Sequence, residues 1–216
     1  GVRFPSPART FHVRTWCAWV NSEAGLTNPT IDIQGQRPCC VSFNNQVAPQ
    51  TASPLMGVLA NMCQQGHDEI HFLLSTPGGT VADGIAIYNL LRALPARVVT
   101  YNMGSVNSIG NVIYQAGDRR VCAMTSSFMF HGVGFDVTNA RLELKQLKER
   151  VDGINNDQAM ISDIMTRHTG LGHEDVDRLF LDMAFLSAQE ALDRGITDEV
   201  RDVHLPQGLP VQQLVF

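Results

Sequence analysis

An α/β fold of repeated βαβ units is expected from three observations. Short apolar runs alternate along the chain with helical stretches of roughly 10–15 residues. Two glycine-rich turns, 76–79 and 104–110, each follow an apolar run and precede a helix. No internal repeat or low-complexity segment breaks the alternation. Strands separated by crossover helices form a largely parallel sheet. Right-handed crossovers then set the strand C-terminal ends on one edge, where ligands bind. The two glycine-rich turns should meet there.

Residues 1–30 carry Pro5, Pro7, Asn28 and Pro29 and read as an irregular N-terminal segment, with Trp16 and Trp19 packing as a satellite of the core. The main domain is expected over 31–205, and 206–216 form a tail. Ile31-Asp32-Ile33 and Val41-Ser42-Phe43 read as strands. Ser53-Pro54 reads as a helix start, an N-cap followed by proline. Leu55, Val58, Leu59 and Met62 share one face of that helix, and Gly66 closes it. Ile70 to Leu74 is a strand, and Val81 to Leu94 a helix ended by Pro95. Val98 to Tyr101 is a buried strand leading into the turn 104–110. Asn111 to Ala116 is a short, mostly apolar helix; Val121–Met124 and Phe128–His131 are further strands. A long charged helix is expected from about 139 to 169. Leu144, Leu147, Val151, Ile154, Ile161 and Met165 form its apolar seam, and Gly153 weakens it by about 1 kcal/mol relative to alanine. Ser187-Ala188-Gln189-Glu190 is a capping box for a last helix that stops at Gly195.

The chain has 216 residues, 44% of them hydrophobic and 17% charged, enough for one sizeable core and too apolar for disorder. The net charge of −5 disfavours nucleic acid as a partner. No run of 18 apolar residues is present, so no membrane span is expected. The start, Gly1-Val2-Arg3-Phe4-Pro5, lacks the apolar core of a signal peptide. Cys17, Cys39, Cys40, Cys63 and Cys122 have no zinc spacing and read as reduced, mostly buried thiols of a cytoplasmic protein. His12, His67, His71, His168, His173 and His204 show no metal spacing either, so no metal or other cofactor is expected.

Three pieces can carry chemistry. In Gly104-Ser105-Val106-Asn107-Ser108-Ile109-Gly110, a serine at a strand-to-helix turn presents its hydroxyl beyond the sheet edge, beside free N–H groups. The alternative is a plain helix cap. Pro77-Gly78-Gly79-Thr80-Val81 lets the backbone approach a ligand and aim N–H groups at it. Such donors, aimed at a developing oxyanion, are commonly worth about 3–4 kcal/mol each. It is neither a P-loop nor a dinucleotide fingerprint. His131 ends an apolar strand 131 − 108 = 23 residues after Ser108, a return across one helix and one strand to the same edge. A neutral imidazole within reach of the hydroxyl would take its proton.

Together these pieces resemble the proteolytic subunits of Clp protease, within the ClpP/crotonase superfamily. That family carries S-P-G-G-S-V, G-x-A-A-S-M-G, M-I-H-Q-P, and D-R-F-L-S followed by E-A and G. The matching segments here are Ser75-Thr76-Pro77-Gly78-Gly79-Thr80-Val81, Gly104 to Gly110, Met129-Phe130-His131, and Phe185-Leu186-Ser187-Ala188-Gln189-Glu190-Ala191 with Gly195-Ile196-Thr197-Asp198. Four motifs in order span about 41–200. The resemblance implies a ClpP-like fold with a protruding "handle" helix. It makes Ser108 the nucleophile, His131 the general base, and the Gly79 and Ile109 amides the oxyanion hole. It also implies a polypeptide substrate, self-assembly into two stacked rings through the handle, and an unfoldase ATPase as partner.

The sequence departs from the family pattern at four places. Met183 stands where the family has its triad aspartate, and a thioether cannot accept the imidazole N–H as a carboxylate does. Asp182 is the neighbour that would substitute by a one-residue shift, although adjacent side chains of an extended segment point opposite ways. Val106-Asn107 replaces an alanine pair before the nucleophile, and Gly132-Val133 replaces Gln-Pro after the histidine. Residues 1–30 do not match the family's axial-loop segment, which bears on ATPase docking. Alternatives are a catalytically weak or regulatory ring subunit, a crotonase-like acyl-CoA enzyme, and an SppA-like Ser–Lys peptidase. Against the last, the only lysines are Lys145 and Lys148, on the charged helix face.

Overall fold

The structure is a computed structural model that describes residues 14–15, 37–135, 141–206, 208–209 and 211–213. The expected strand at Ile31–Ile33, Cys17, and the tryptophan satellite lie outside the described residues. Strand β1 (Arg14–Thr15) falls within the segment read as irregular. β2 (Pro38–Asn44) buries Cys39, Cys40 and Val41 on both faces, as a central parallel strand must. Helix α1 (Pro49–Gln64) follows, then β3 (Glu69–Thr76), α2 (Val81–Ala93), β4 (Arg97–Asn107) and α3 (Gly110–Tyr114). β5 (Arg119–Cys122), β6 (Ser127–Met129), α4 (Leu144–Thr169) and α5 (His173–Leu181) come next. β7 (Phe185–Ser187), α6 (Ala188–Asp193), β8 (Glu199–Val200) and β9 (Val211–Gln213) complete the described elements.

The sheet order is β1-β9-β2-β3-β4-β5-β8, with β6 paired to the end of β4 and β7 paired to β6. β2 through β5 are parallel, as the alternation of strands and helices predicts; β1–β9 and β6–β7 are antiparallel. The residues read as a tail therefore contribute a strand, β9, which pairs with both β1 and β2. The main core joins Val41, Phe43, Ile70, Phe72 and Leu74 of the sheet to Leu55 and Leu59 of α1, Ile87 and Leu91 of α2, and the buried α3. A smaller apolar group, Val99, Tyr101 and Val121, is packed against Val203 and Leu205.

Four local expectations are corrected. α1 begins at Pro49, not at Ser53-Pro54. Ala48 is its N-cap and donates its N–H to Thr51 Oγ1 at 3.1 Å, while the Thr51 hydroxyl donates to the Gln46 carbonyl at 2.6 Å. Pro54 sits in the second turn and forgoes one intrahelical bond. β4 runs on through Gly104–Asn107, because β6 takes over as its partner where β5 ends. β5 ends at Cys122, so Met124 is exposed. The long helix starts at Leu144 rather than near 139: the Glu143 N–H is taken by the Gln146 side chain at 3.0 Å. Its first half exposes Leu144, Leu147 and Val151, whereas Ile161, Ile164 and Met165 of its second half are buried.

α5 has no counterpart in the sequence reading. It packs Val176, Leu179 and Phe180 inward and ends in the reverse turn that Gly66 and Gly195 make at the ends of α1 and α6. Here the left-handed residue is Met183, with φ 51°, and the Ala184 N–H reaches back to the Leu179 carbonyl at 3.1 Å. A side chain in that conformation costs about 1–2 kcal/mol. Met183 is largely exposed, so its removal opens no cavity. Met183→Gly is expected to stabilise the fold by about 1 kcal/mol, raising the melting temperature by about 2–4 °C. A lower melting temperature in calorimetry would contradict this account of the turn.

Arg120 ties four elements together. Its guanidinium pairs with Asp198, donates to the Gln115 side chain, and donates to the His168 carbonyl at 2.9 Å. This joins β5 to the segment before β8 and to the ends of α3 and α4. Asp198 is partly exposed, so the pair is worth less than a fully buried one. Arg120→Ala is expected to cost about 2–3 kcal/mol, lowering the melting temperature by about 4–10 °C. A change under about 2 °C would show that the network is not holding these ends.

Candidate active site

The two glycine-rich turns do meet. β3 and β4 pair in register as far as Leu74 and Asn102; after an irregularity Thr76 lies opposite Val106. Both chains then leave the sheet side by side. An alanine Cβ at Gly78 would lie 2.6 Å from Ser108 Cβ and 2.8 Å from the Asn107 carbonyl. At Gly79 it would lie 1.9 Å from the Val47 carbonyl. Gly78 and Gly79 have φ of 91° and 149°, in the region side chains avoid. The loop is pinned on both sides: Val47 donates its N–H to the Gly78 carbonyl and accepts the Thr80 N–H, both at 2.8 Å. Thr76 Oγ1 accepts the Gly78 N–H at 3.0 Å.

Ser108 forms the turn between β4 and α3. Its φ is 55°, uncommon for a residue other than glycine. Its N–H donates to the Met129 carbonyl of β6 at 2.8 Å. Its carbonyl accepts the Asn111 backbone N–H at 3.0 Å. Its hydroxyl is partly exposed and makes no hydrogen bond among the described residues. Neither the Gly79 N–H nor the Ile109 N–H has an acceptor among the described residues. Gly84 of α2 lets Ile109 pack closely: a Cβ there would meet Ile109 Cγ1 at 2.3 Å.

His131 follows β6, two residues beyond the carbonyl that holds Ser108. Phe130 anchors the strand end. Its N–H donates to the Ala184 carbonyl at 2.8 Å, and its ring meets Phe180 edge-on at 5.2 Å. The imidazole is partly exposed, and its Nδ1–H donates to the Gly132 carbonyl at 2.9 Å. That bond fixes the neutral tautomer and leaves the Nε2 lone pair free. The structure brings Ser108, Gly79, Ile109 and His131 to one edge. It does not bring Asp182 to the imidazole. Asp182 caps the C-terminus of α5, its backbone N–H bonded to Arg178, and its exposed carboxylate makes no hydrogen bond or ion pair among the described residues.

Other reactive groups are elsewhere or silenced. Burial pushes the thiols of Cys39, Cys40 and Cys122 up to about 12, so none is a nucleophile at neutral pH. Lys145 and Lys148 stand on the exposed half of α4. His71 and His168 are bonded to Tyr101 and Tyr88, both at 2.8 Å. Among the described residues no three metal-ligating side chains cluster. Sequence reasoning passed over Asn111, read only as part of an apolar helix. It is fully buried, and its side-chain amide donates to the Ser108 carbonyl at 3.0 Å and the Met129 carbonyl at 2.9 Å. A polar residue between Gly110 and Val112-Ile113-Tyr114, in a helix with no exposed face, was the signal.

Comparison with known proteins bears on the family and the fold. A mutant form of ClpP1 from Listeria monocytogenes superposes with a TM-score of 0.68 at 20% sequence identity, covering 78% of this chain and 92% of that one. The likeness extends to the α/β fold. The sequence model of the family described as Clp protease matches residues 34–204, most of the chain and every motif discussed above. With the ordered motifs and the sheet that carries them, this match places the chain in the Clp protease family.

Proposed function

We propose that the chain is a serine endopeptidase of Clp type, with Ser108 as nucleophile and His131 as general base. The observation that carries this reading is the pairing, among the described residues, of an unbonded serine hydroxyl on a left-handed turn with two amides that have no acceptor, Gly79 and Ile109. In the first step Nε2 of His131 takes the Ser108 proton as Oγ attacks the scissile carbonyl. The carbonyl oxygen becomes an oxyanion, held by the two amides. The imidazolium then gives its proton to the leaving amine, the peptide C–N bond breaks, and an acyl-enzyme remains. Water, deprotonated by the same imidazole, releases the acid and restores the serine. The Gly132 carbonyl orients the ring through Nδ1–H, the task a carboxylate performs in a complete triad.

Family membership supports a polypeptide substrate and a ring assembly. The exposed Leu144, Leu147 and Val151 stripe on α4 supports contact between two stacked rings of the same chain. No described helix is long and apolar enough to cross a membrane. We place the protein in the cytoplasm on its thiol usage, and an unfoldase ATPase remains the proposed delivery partner.

A second reading follows from the Gly132 bond. A neutral carbonyl stabilises imidazolium less than a carboxylate, and loss of the orienting carboxylate typically costs about 10⁴-fold in rate. A weak or regulatory ring subunit fits that observation. A peptidase assay on the chain alone, and mixed with a second proteolytic subunit, separates the two. Turnover by the chain alone supports the enzyme; turnover only in the mixture supports the regulatory subunit.

Ser108→Ala is expected to abolish labelling by a fluorophosphonate probe. Equal labelling of the variant and the parent would end the peptidase reading. Asp182→Asn is expected to leave the labelling rate within about twofold, because the ring is oriented without it; a fall towards 10⁴-fold would assign Asp182 the third position.

A further inference from the structure

We propose that Asn111 is a positioning residue for the Ser108–His131 pair, an assignment that rests on the peptidase reading above. Its side-chain amide bridges two carbonyls on different elements. One, that of Ser108, leaves the nucleophile. The other, that of Met129, stands two residues before the imidazole. Both amide hydrogens are used, and the orientation of the group is fixed because its oxygen cannot face either carbonyl. Asn111 Oδ1 is buried with no hydrogen-bond partner among the described residues. A buried amide with an orphaned oxygen is worse for folding than an apolar side chain of similar size. The core contacts of α3 come instead from Val112, Ile113 and Tyr114. Stability alone therefore does not select asparagine at this position.

What the amide contributes is geometry. The Met129 carbonyl already accepts the Ser108 N–H at 2.8 Å. By sharing that carbonyl and also holding the Ser108 carbonyl, Asn111 fixes the peptides on both sides of the nucleophile against β6. Serine does not keep a φ of 55° unless surrounding contacts hold it. The bridge supplies such contacts from one side chain, in the frame that also carries His131.

The test uses the full chain. Asn111→Ala is expected to lower kcat for a peptide substrate, and the rate of fluorophosphonate labelling, by about 10²-fold with little change in KM. Thr100→Val removes a buried bond to the Tyr114 carbonyl, at the far end of the same helix. It should lower the melting temperature yet keep the parent rate. Asn111→Ser, too short to reach both carbonyls, should behave as Asn111→Ala does. Parent-like rates in both Asn111 variants, with Ser108→Ala unlabelled, would overturn the positioning role and leave the peptidase reading intact. Full labelling of Ser108→Ala would overturn both. For variants that do not fold, the Asn111 side-chain amide signals of the parent chain provide the measurement. They should shift when Ser108 is phosphonylated, and unchanged signals would overturn the role.

Discussion

The approach of the Gly78 backbone to the Ser108 side chain is the constraint on which the site depends. Two parallel strands leave the sheet side by side, and their turns occupy nearly the same space. Only a residue without a Cβ leaves room at position 78, where φ is 91° and the carbonyl accepts the Val47 N–H. The same crowding recurs one layer down, where Gly110 accommodates the Thr76 methyl and Gly84 accommodates Ile109. Glycines are spent where backbone or side chain must pass closely, and the closeness places unbonded amides beside a hydroxyl.

The features legible in the sequence are those set locally. Alternating strands and helices announced the parallel sheet. Glycine pairs announced the turns, and Ser187 with Glu190 announced the start of α6, where the Ser187 N–H meets the Glu190 carboxylate at 2.8 Å. Ser108, His131, Gly79 and Ile109 are singled out by the family resemblance, and the pairing of β3, β4 and β6 carries them to one edge. The misplaced features are those decided by distant partners. β4 extends to Asn107 because β6 arrives to pair with it, and nothing in Gly104-Ser105-Val106-Asn107 signals that. The start of α1 moved because Thr51 reaches back to Gln46 and Ala48, overriding a well-formed Ser-Pro signal. α5 had a readable pattern in Val176, Leu179 and Phe180, but it is only nine residues long and follows a glycine-flanked turn.

Among the described residues the proposed site is held by hydrogen bonds to neutral groups. The His131 imidazole is oriented by a backbone carbonyl, the Ser108 turn is held by a strand carbonyl and an amide side chain, and the Asp182 carboxylate faces solvent. The strong ion pairs lie away from the site, where Arg120 meets Asp198 and Arg119 meets Glu199. Among the described residues the polar partners of the Ser108 turn and of the ring are neutral, and no described carboxylate is bonded to the imidazole to give it the counter-charge of a triad aspartate.

The end of α5 limits how that counter-charge can be acquired. The Ala184 N–H is committed to Leu179 and its carbonyl to Phe130, so the segment is latched on both flanks. Sliding it by one position, to carry Asp182 forward, would undo both latches and turn buried Leu186 outward. A register shift is therefore closed to this segment, and a change confined to position 183 leaves both latches in place. The helical reversal there imposes a twist that aspartate tolerates far better than methionine, so the scaffold already favours the acid it lacks.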